Sequence, residues 1–116
     1  MRGAVAGALA AVAWAACDPL FKRAFDTPYA DSEILGPVGH VAAGAVFGHL
    51  FERLGRRGVR EGLVAALAEN TLLWPAVPLV MRIHPRPLPT DRRAFASATA
   101  GHALFGLLLG LGTRRA

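Results

Sequence analysis

Gly39-His40-Val41-Ala42-Ala43-Gly44-Ala45-Val46-Phe47-Gly48 and Gly101-His102-Ala103-Leu104-Phe105-Gly106-Leu107-Leu108-Leu109-Gly110 place glycine, histidine, glycine and glycine at the same four offsets. Residues four apart share one face of a helix. Each segment therefore reads as a helix with a groove made by Gly44 and Gly48, or by Gly106 and Gly110, and an imidazole at one end of it. Grooves of this small-xxx-small kind let helix backbones approach closely in lipid.

Working outward, charges fall in bunches, and between them lie four stretches nearly free of charge: 3–17, 34–51, 62–81 and 94–112. A bilayer core needs about 20 apolar residues at 1.5 Å rise, with a usual range of about 17–25. The last three stretches meet that directly. The first reaches it only by continuing past Asp18 through Pro19 to Phe21. Arg2, the Ala-rich run and Ala15-Ala16-Cys17 also resemble the regions of a signal peptide, which is the competing reading of that stretch. No charged face runs along any of the four, against a soluble bundle.

Composition agrees. The chain has 116 residues, 53% hydrophobic and 18% charged, with mean hydropathy +0.38. Average soluble domains carry about 25% charge. A single cysteine, Cys17, excludes both an internal disulfide framework and a paired-cysteine zinc site. The formal charge of +5 needs no nucleic-acid partner, because arginines flanking spans are drawn to anionic headgroups and no basic stripe is interleaved with aromatics.

The expected fold is an all-α integral membrane four-helix bundle in one domain. Two similar hairpins, 3–51 and 62–112, are joined by the basic loop 52–61, forming a parallel internal repeat about an axis along the membrane normal. Both glycine-grooved segments run into an arginine pair, Arg56-Arg57 and Arg114-Arg115, and both preceding spans place a tryptophan near proline, Trp14 with Pro19 and Trp74 with Pro75 and Pro78. The grooves are expected either to meet each other, making His40 and His102 neighbours on the bundle axis, or to face a second copy. Four arginines in loop 52–61, against a first outer loop whose cations are offset by Asp18, Asp26, Asp31 and Glu33, favour the cytoplasmic membrane with both termini inside. Phe21, Phe25 and Tyr29, spaced by four, suggest a short interfacial helix, and the proline-rich segment 82–93 reads as extended.

His40, His102 and Glu69 fall within about 5 Å of the expected midplane at 1.5 Å per residue. An ionised residue there costs about 2.5–3.5 kcal/mol, so Asn70 and Thr71 beside Glu69 read as its partners and the group as a polar cluster. Desolvation works against either charge, and a carboxyl–imidazole contact works for the pair. Pro75 and Pro78 remove amide donors, which predicts a kink and free carbonyls at Thr71 and Trp74. Loose carbonyls beside an acid are how some transporters bind cations.

The functional expectation is an oligomeric channel or a proton- or cation-coupled carrier built on Glu69, Asn70, Thr71, His40 and His102. One alternative is a structural or assembly subunit of a larger membrane complex. Another is a haem protein holding the porphyrin between His40 and His102. Motifs for a nucleophilic or metal-dependent hydrolase are absent, so an enzyme is not expected, nor a metal centre.

Overall fold

The computed structural model describes residues 2–28, 33–85 and 89–114. All of its regular structure is helical: α1 (Arg2–Phe25), α2 (Gly36–Arg53), α3 (Val59–Leu73), a 3-10 turn (Trp74–Ala76), α4 (Val77–Ile83) and α5 (Arg92–Thr113). Because α3, the turn and α4 follow one another without a break, the molecule is a bundle of four helical rods. Its long axis is 41 Å, close to the ~40–45 Å of a bilayer with its headgroups.

Local chemistry sets the helix ends. Asp91 caps α5, its carboxylate accepting from the Ala94 amide at 3.1 Å, which satisfies one of the donors every helix start leaves open. Pro37 follows Gly36 at the start of α2, where its missing N–H costs nothing. Between α2 and α3 the chain reverses through Gly55 and Gly58, at φ +74° and +92°, values that a residue with a Cβ rarely takes.

The rods run up, down, up and down, and the two chain ends lie at the same end of the bundle. Gly3 abuts Gly48 and Glu52, while Gly112 abuts Ala6. At the opposite end, Arg93 meets Asp26 at 3.0 Å, Lys22 pairs with Glu33 and His84 Nε2 donates to the Ile34 carbonyl at 3.0 Å. The main pairings are α1 with α2, α3 with α5, and α1 with α5. That last pair forms a central seam, with α2 and α3 on its flanks.

Small residues make these pairings. At Gly7 an added Cβ would stand 2.0 Å from the Gly44 carbonyl oxygen, and at Gly106 one would stand 2.5 Å from that of Gly62. The two glycine grooves therefore do not meet each other, as one expectation had it, nor do they look outward to a second copy. Each is filled from within its own hairpin: Gly44 and Gly48 by Gly7 and Gly3 of α1, and Gly106 and Gly110 by Gly62, Ala66 and the Gly58-Val59 backbone. Backbone contact this close replaces the side-chain interdigitation of a soluble core with dispersion along two helix faces.

The large apolar side chains lie outside. Val38 is 84% exposed, Leu72 76% and Ile83 85%, whereas the buried core is mostly alanine, with Trp14, Phe51, Phe105 and Leu109. An apolar surface so extensive is unusual on a soluble monomer. Three rods, Arg2–Phe25, Val59–Ile83 and Arg92–Thr113, are long and apolar enough to cross a membrane. The 18-residue α2 falls short of that apolarity because it includes His40, His49, Glu52 and Arg53.

Two local expectations change. No separate interfacial helix follows the first span: α1 continues through Asp18 and Pro19 to Phe25, and Tyr29 lies outside the described residues. Within the segment expected to be extended, Arg82 and Ile83 belong to α4, Arg92 and Arg93 begin α5, and 86–88 are outside the described residues.

Candidate polar site between the hairpins

The site is built around Trp14, which α1 presents on the same face as Gly3, Gly7 and Ala11. Its indole lies over Gly101 of α5, where an added Cβ would fall 2.2 Å from the ring. Gly101 is thus the space that admits the indole. His40 and His102 both pack against it, each with its ring centroid 4.8 Å from that of Trp14 and tilted edge to face. Such edge-to-face pairs contribute about 0.5–1.5 kcal/mol beyond burial.

Both imidazoles are oriented by backbone. His40 Nε2 lies 2.9 Å from the Ala11 carbonyl oxygen of α1, and His102 Nδ1 lies 2.7 Å from the Ala98 carbonyl one turn earlier in α5. A carbonyl can only accept, so each of these ring nitrogens carries a hydrogen. For His102 this leaves Nε2 turned toward α3, where Glu69 Oε2 lies 3.4 Å away. The gap is slightly longer than the usual hydrogen-bond range of about 2.7–3.2 Å. Glu69 keeps 36% of its side chain exposed, against 10% for His102.

Asn70 is buried and turns toward α5, its Nδ2 donating to Thr99 Oγ1 at 3.1 Å. That hydroxyl in turn donates to the Phe95 carbonyl at 2.8 Å. Thr71, expected to join the cluster, is exposed on the far side of α3. The helical period explains this: with Asn70 facing α5, the next residue is rotated by about 100°. Glu69 and His102 come together, and His40 lines a narrow cavity with them, packed against the Trp14 ring.

At Pro75 the rod passes through the 3-10 turn Trp74–Ala76, and Pro78 lies in the first turn of α4. The Trp74 carbonyl expected to be free is not: the Val77 amide bonds to it, closing the turn, and the Trp74 amide still reaches the Asn70 carbonyl. The turn borders the space beside Glu69. A cleft of about 320 Å³ is lined there by Glu69, Asn70, Trp74 and His102 with Leu35 and Val80. A narrower one of about 140 Å³ adjoins it, reaching Trp14, His40 and Phe47. The larger lies between the residues that lead into α2 and the α3–α4 rod, and the narrower between α2 and α3 against α1 and α5.

A haem does not fit between the histidines. The cavity that both rings line measures only about 140 Å³, the His40 Nε2 that would ligate iron is engaged by the Ala11 carbonyl, and the His102 Nε2 faces Glu69. Among the described residues no group of three or more histidine, cysteine, aspartate or glutamate side chains could hold a metal ion.

Sequence reasoning missed the central residue of this site and one further buried acid. Trp14 was read only as a tryptophan near a proline, and Asp18, 6% exposed inside α1, as the start of a loop. Helical spacing carries the missing signal: Gly3, Gly7, Ala11, Trp14 and Asp18 follow one another at intervals of three or four and share a face. No family model, curated protein or solved structure matches the chain.

Proposed function

We propose that this chain is a multi-pass protein of the cytoplasmic membrane in which all four rods cross the bilayer, both termini lie inside, and the Glu69–His102 pair handles protons for a small oligomeric channel or proton-coupled carrier. The two hairpins are then copies of one unit, which the matching approaches of Gly44 and Gly48, and of Gly106 and Gly110, support. The crossing of α2 is supported by its packing along α1 from Gly48 against Gly3 to His40 against Ala11.

The observation that carries the reading is the 3.4 Å approach of Glu69 Oε2 to His102 Nε2 inside a cleft. With Nδ1 donating to Ala98, Nε2 can accept a proton from Glu69 and return it. Neutral carboxyl with neutral imidazole, and carboxylate with imidazolium, have the same net charge. Neither state leaves an isolated ion in hydrocarbon, where insertion costs about 2.5–3.5 kcal/mol. A cation entering the cleft can displace the shared proton, which is the chemistry of coupling. The cleft opens between α2 and α3, so closing a pathway along it calls for a second copy, hence the oligomer.

Reconstitution in liposomes holding a pH-sensitive dye tests this. An imposed potential should drive proton flux through the wild-type chain and not through Glu69→Gln. Undiminished flux in Glu69→Gln overturns the proposal.

A further inference from the structure

The cleft has a third chamber, at the end of the bundle where the termini meet, which the polar site does not use. It measures about 760 Å³ and lies between the last turns of α2 and the first turns of α3. Phe47, Leu50, Leu54 and Val64 form its walls, and Arg56 and Arg60 stand at its mouth. Leu50, Leu54 and Val64 are 55%, 75% and 62% exposed, so the slot is apolar and open along one side.

Charge at this mouth is one-sided. The turn from Glu52 to Glu61 carries Arg53, Arg56, Arg57 and Arg60 against two carboxylates. Both carboxylates are already engaged. Glu61 accepts from Arg56 Nη1 at 3.0 Å and from the Arg57 amide at 3.0 Å, and Glu52 accepts from the Gly3 amide. Arg60 is exposed beside the opening, and the rest of the Arg56 guanidinium still has donors to offer. The volume lies within the ~300–1,000 Å³ of small-ligand sites.

We infer that this chamber binds one anionic phospholipid, an acyl chain lying along Leu50 and Val64 and the headgroup phosphate held by Arg60 and Arg56. An acyl chain matches a slot that is apolar and laterally open, as a compact polar metabolite does not. Guanidinium groups recognise phosphate by paired N–H donors. The basic end of the bundle is also the end that the arginine distribution assigns to the leaflet rich in anionic lipid. The inference rests on the membrane crossing and orientation proposed above, and not on the proton chemistry at Glu69.

Native mass spectrometry of the full chain in neutral detergent tests it, with phosphatidylglycerol and phosphatidylcholine of identical chains added in turn. One phosphatidylglycerol should be retained in preference to phosphatidylcholine. Arg60→Gln should weaken retention about fivefold, and Arg56→Gln with Arg60→Gln about 25-fold, at about 1 kcal/mol per arginine. Val64→Trp, which fills the slot from an exposed position, should remove retention while the circular dichroism spectrum stays helical. Three results overturn the inference: equal retention of both lipids, competition by glycerol phosphate without acyl chains, or retention that survives both the arginine pair and Val64→Trp. Retention seen only in a dimeric species, with none on the monomer, also overturns it, because the slot is then an interface between copies.

Discussion

His102 and Glu69 face each other at 3.4 Å from α5 and α3, the two rods of the second hairpin. They are positioned by different means. His102 is fixed by the hydrogen bond to Ala98 and by the Trp14 ring. Glu69 borders the cleft with over a third of its side chain exposed, so a rotation of the longer side chain changes the gap without moving a helix. One partner is held and the other adjustable, which is the arrangement that the proposed proton handling calls for.

If the two act as a unit, their substitutions will not add. Proton flux in liposomes should fall to the level of empty vesicles in His102→Gln as it does in Glu69→Gln, and the double variant should show no further loss. His40→Gln, at a residue whose Nε2 is held by the Ala11 carbonyl and not by Glu69, should retain flux. Equal losses at His40 and His102 would instead point to a shared structural cause.

The same contrast between fixed and adjustable groups explains what was legible in the sequence. The glycine and histidine spacing located the grooves, and it placed His102 and Glu69 at similar depth. Partner choice was not legible, because Gly44 fits Gly7 and Gly106 equally well in pattern. What decides is which neighbour carries small residues on its facing side, Gly3 and Gly7 of α1 for one groove and Gly62 and Ala66 of α3 for the other, whereas α2 and α3, joined by the shortest turn, are not a main pairing. Trp14 was hidden for a related reason. A large ring reads as a core residue or as an interfacial anchor, and only Gly101, 87 positions away in the chain, shows that a pocket exists for it. Thr71 was misplaced because adjacency in sequence to Asn70 was read as adjacency in space.

Glycine substitutions test the packing directly. Gly7→Ala would drive a Cβ to 2.0 Å from the Gly44 carbonyl, backbone against backbone with nothing flexible to yield. Overpacking of this kind costs about 1–3 kcal/mol, so thermal unfolding in detergent should occur at a clearly lower midpoint. Gly39→Ala is the control: its nearest neighbour is Leu35 Cβ at 3.1 Å, on an exposed residue at the start of α2. The small rearrangement needed there is offset by the ~1 kcal/mol that alanine gains over glycine in a helix. Its midpoint should stay near that of the wild type.

Crossing by α2 is the least apolar of the four proposed passages, and labelling decides it. In a Cys17→Ala background, Arg57→Cys sits in the turn after α2 and Thr90→Cys just before α5, at opposite ends of the bundle. A membrane-impermeant maleimide applied to intact cells should label Thr90→Cys at once and Arg57→Cys only after permeabilisation. Labelling of Arg57→Cys from outside with Thr90→Cys protected would mean that α2 lies along the surface, and labelling of both from outside would mean that the α3–α4 rod between them does not cross.

Glu52 gives a pH dependence of known sign. α1 has no acidic residue in its own first turn, and the last turn of α2 supplies one across the hairpin. The Gly3 amide donates to the Glu52 carboxylate and holds its pKa below the ordinary carboxylate value. A carboxylate whose folded-state pKa is lowered stabilises the fold fully above its unfolded value, about 4.3, and loses that contribution as the pH falls through the folded value. The unfolding midpoint of the wild type should therefore exceed that of Glu52→Gln at pH 7. The two should converge as the pH is taken below 4, while Glu33→Gln, at the other end of the molecule, shifts the midpoint without closing that gap. A difference between wild type and Glu52→Gln that persisted unchanged to pH 3 would show that the side chain works by packing against Gly3 and not by its charge.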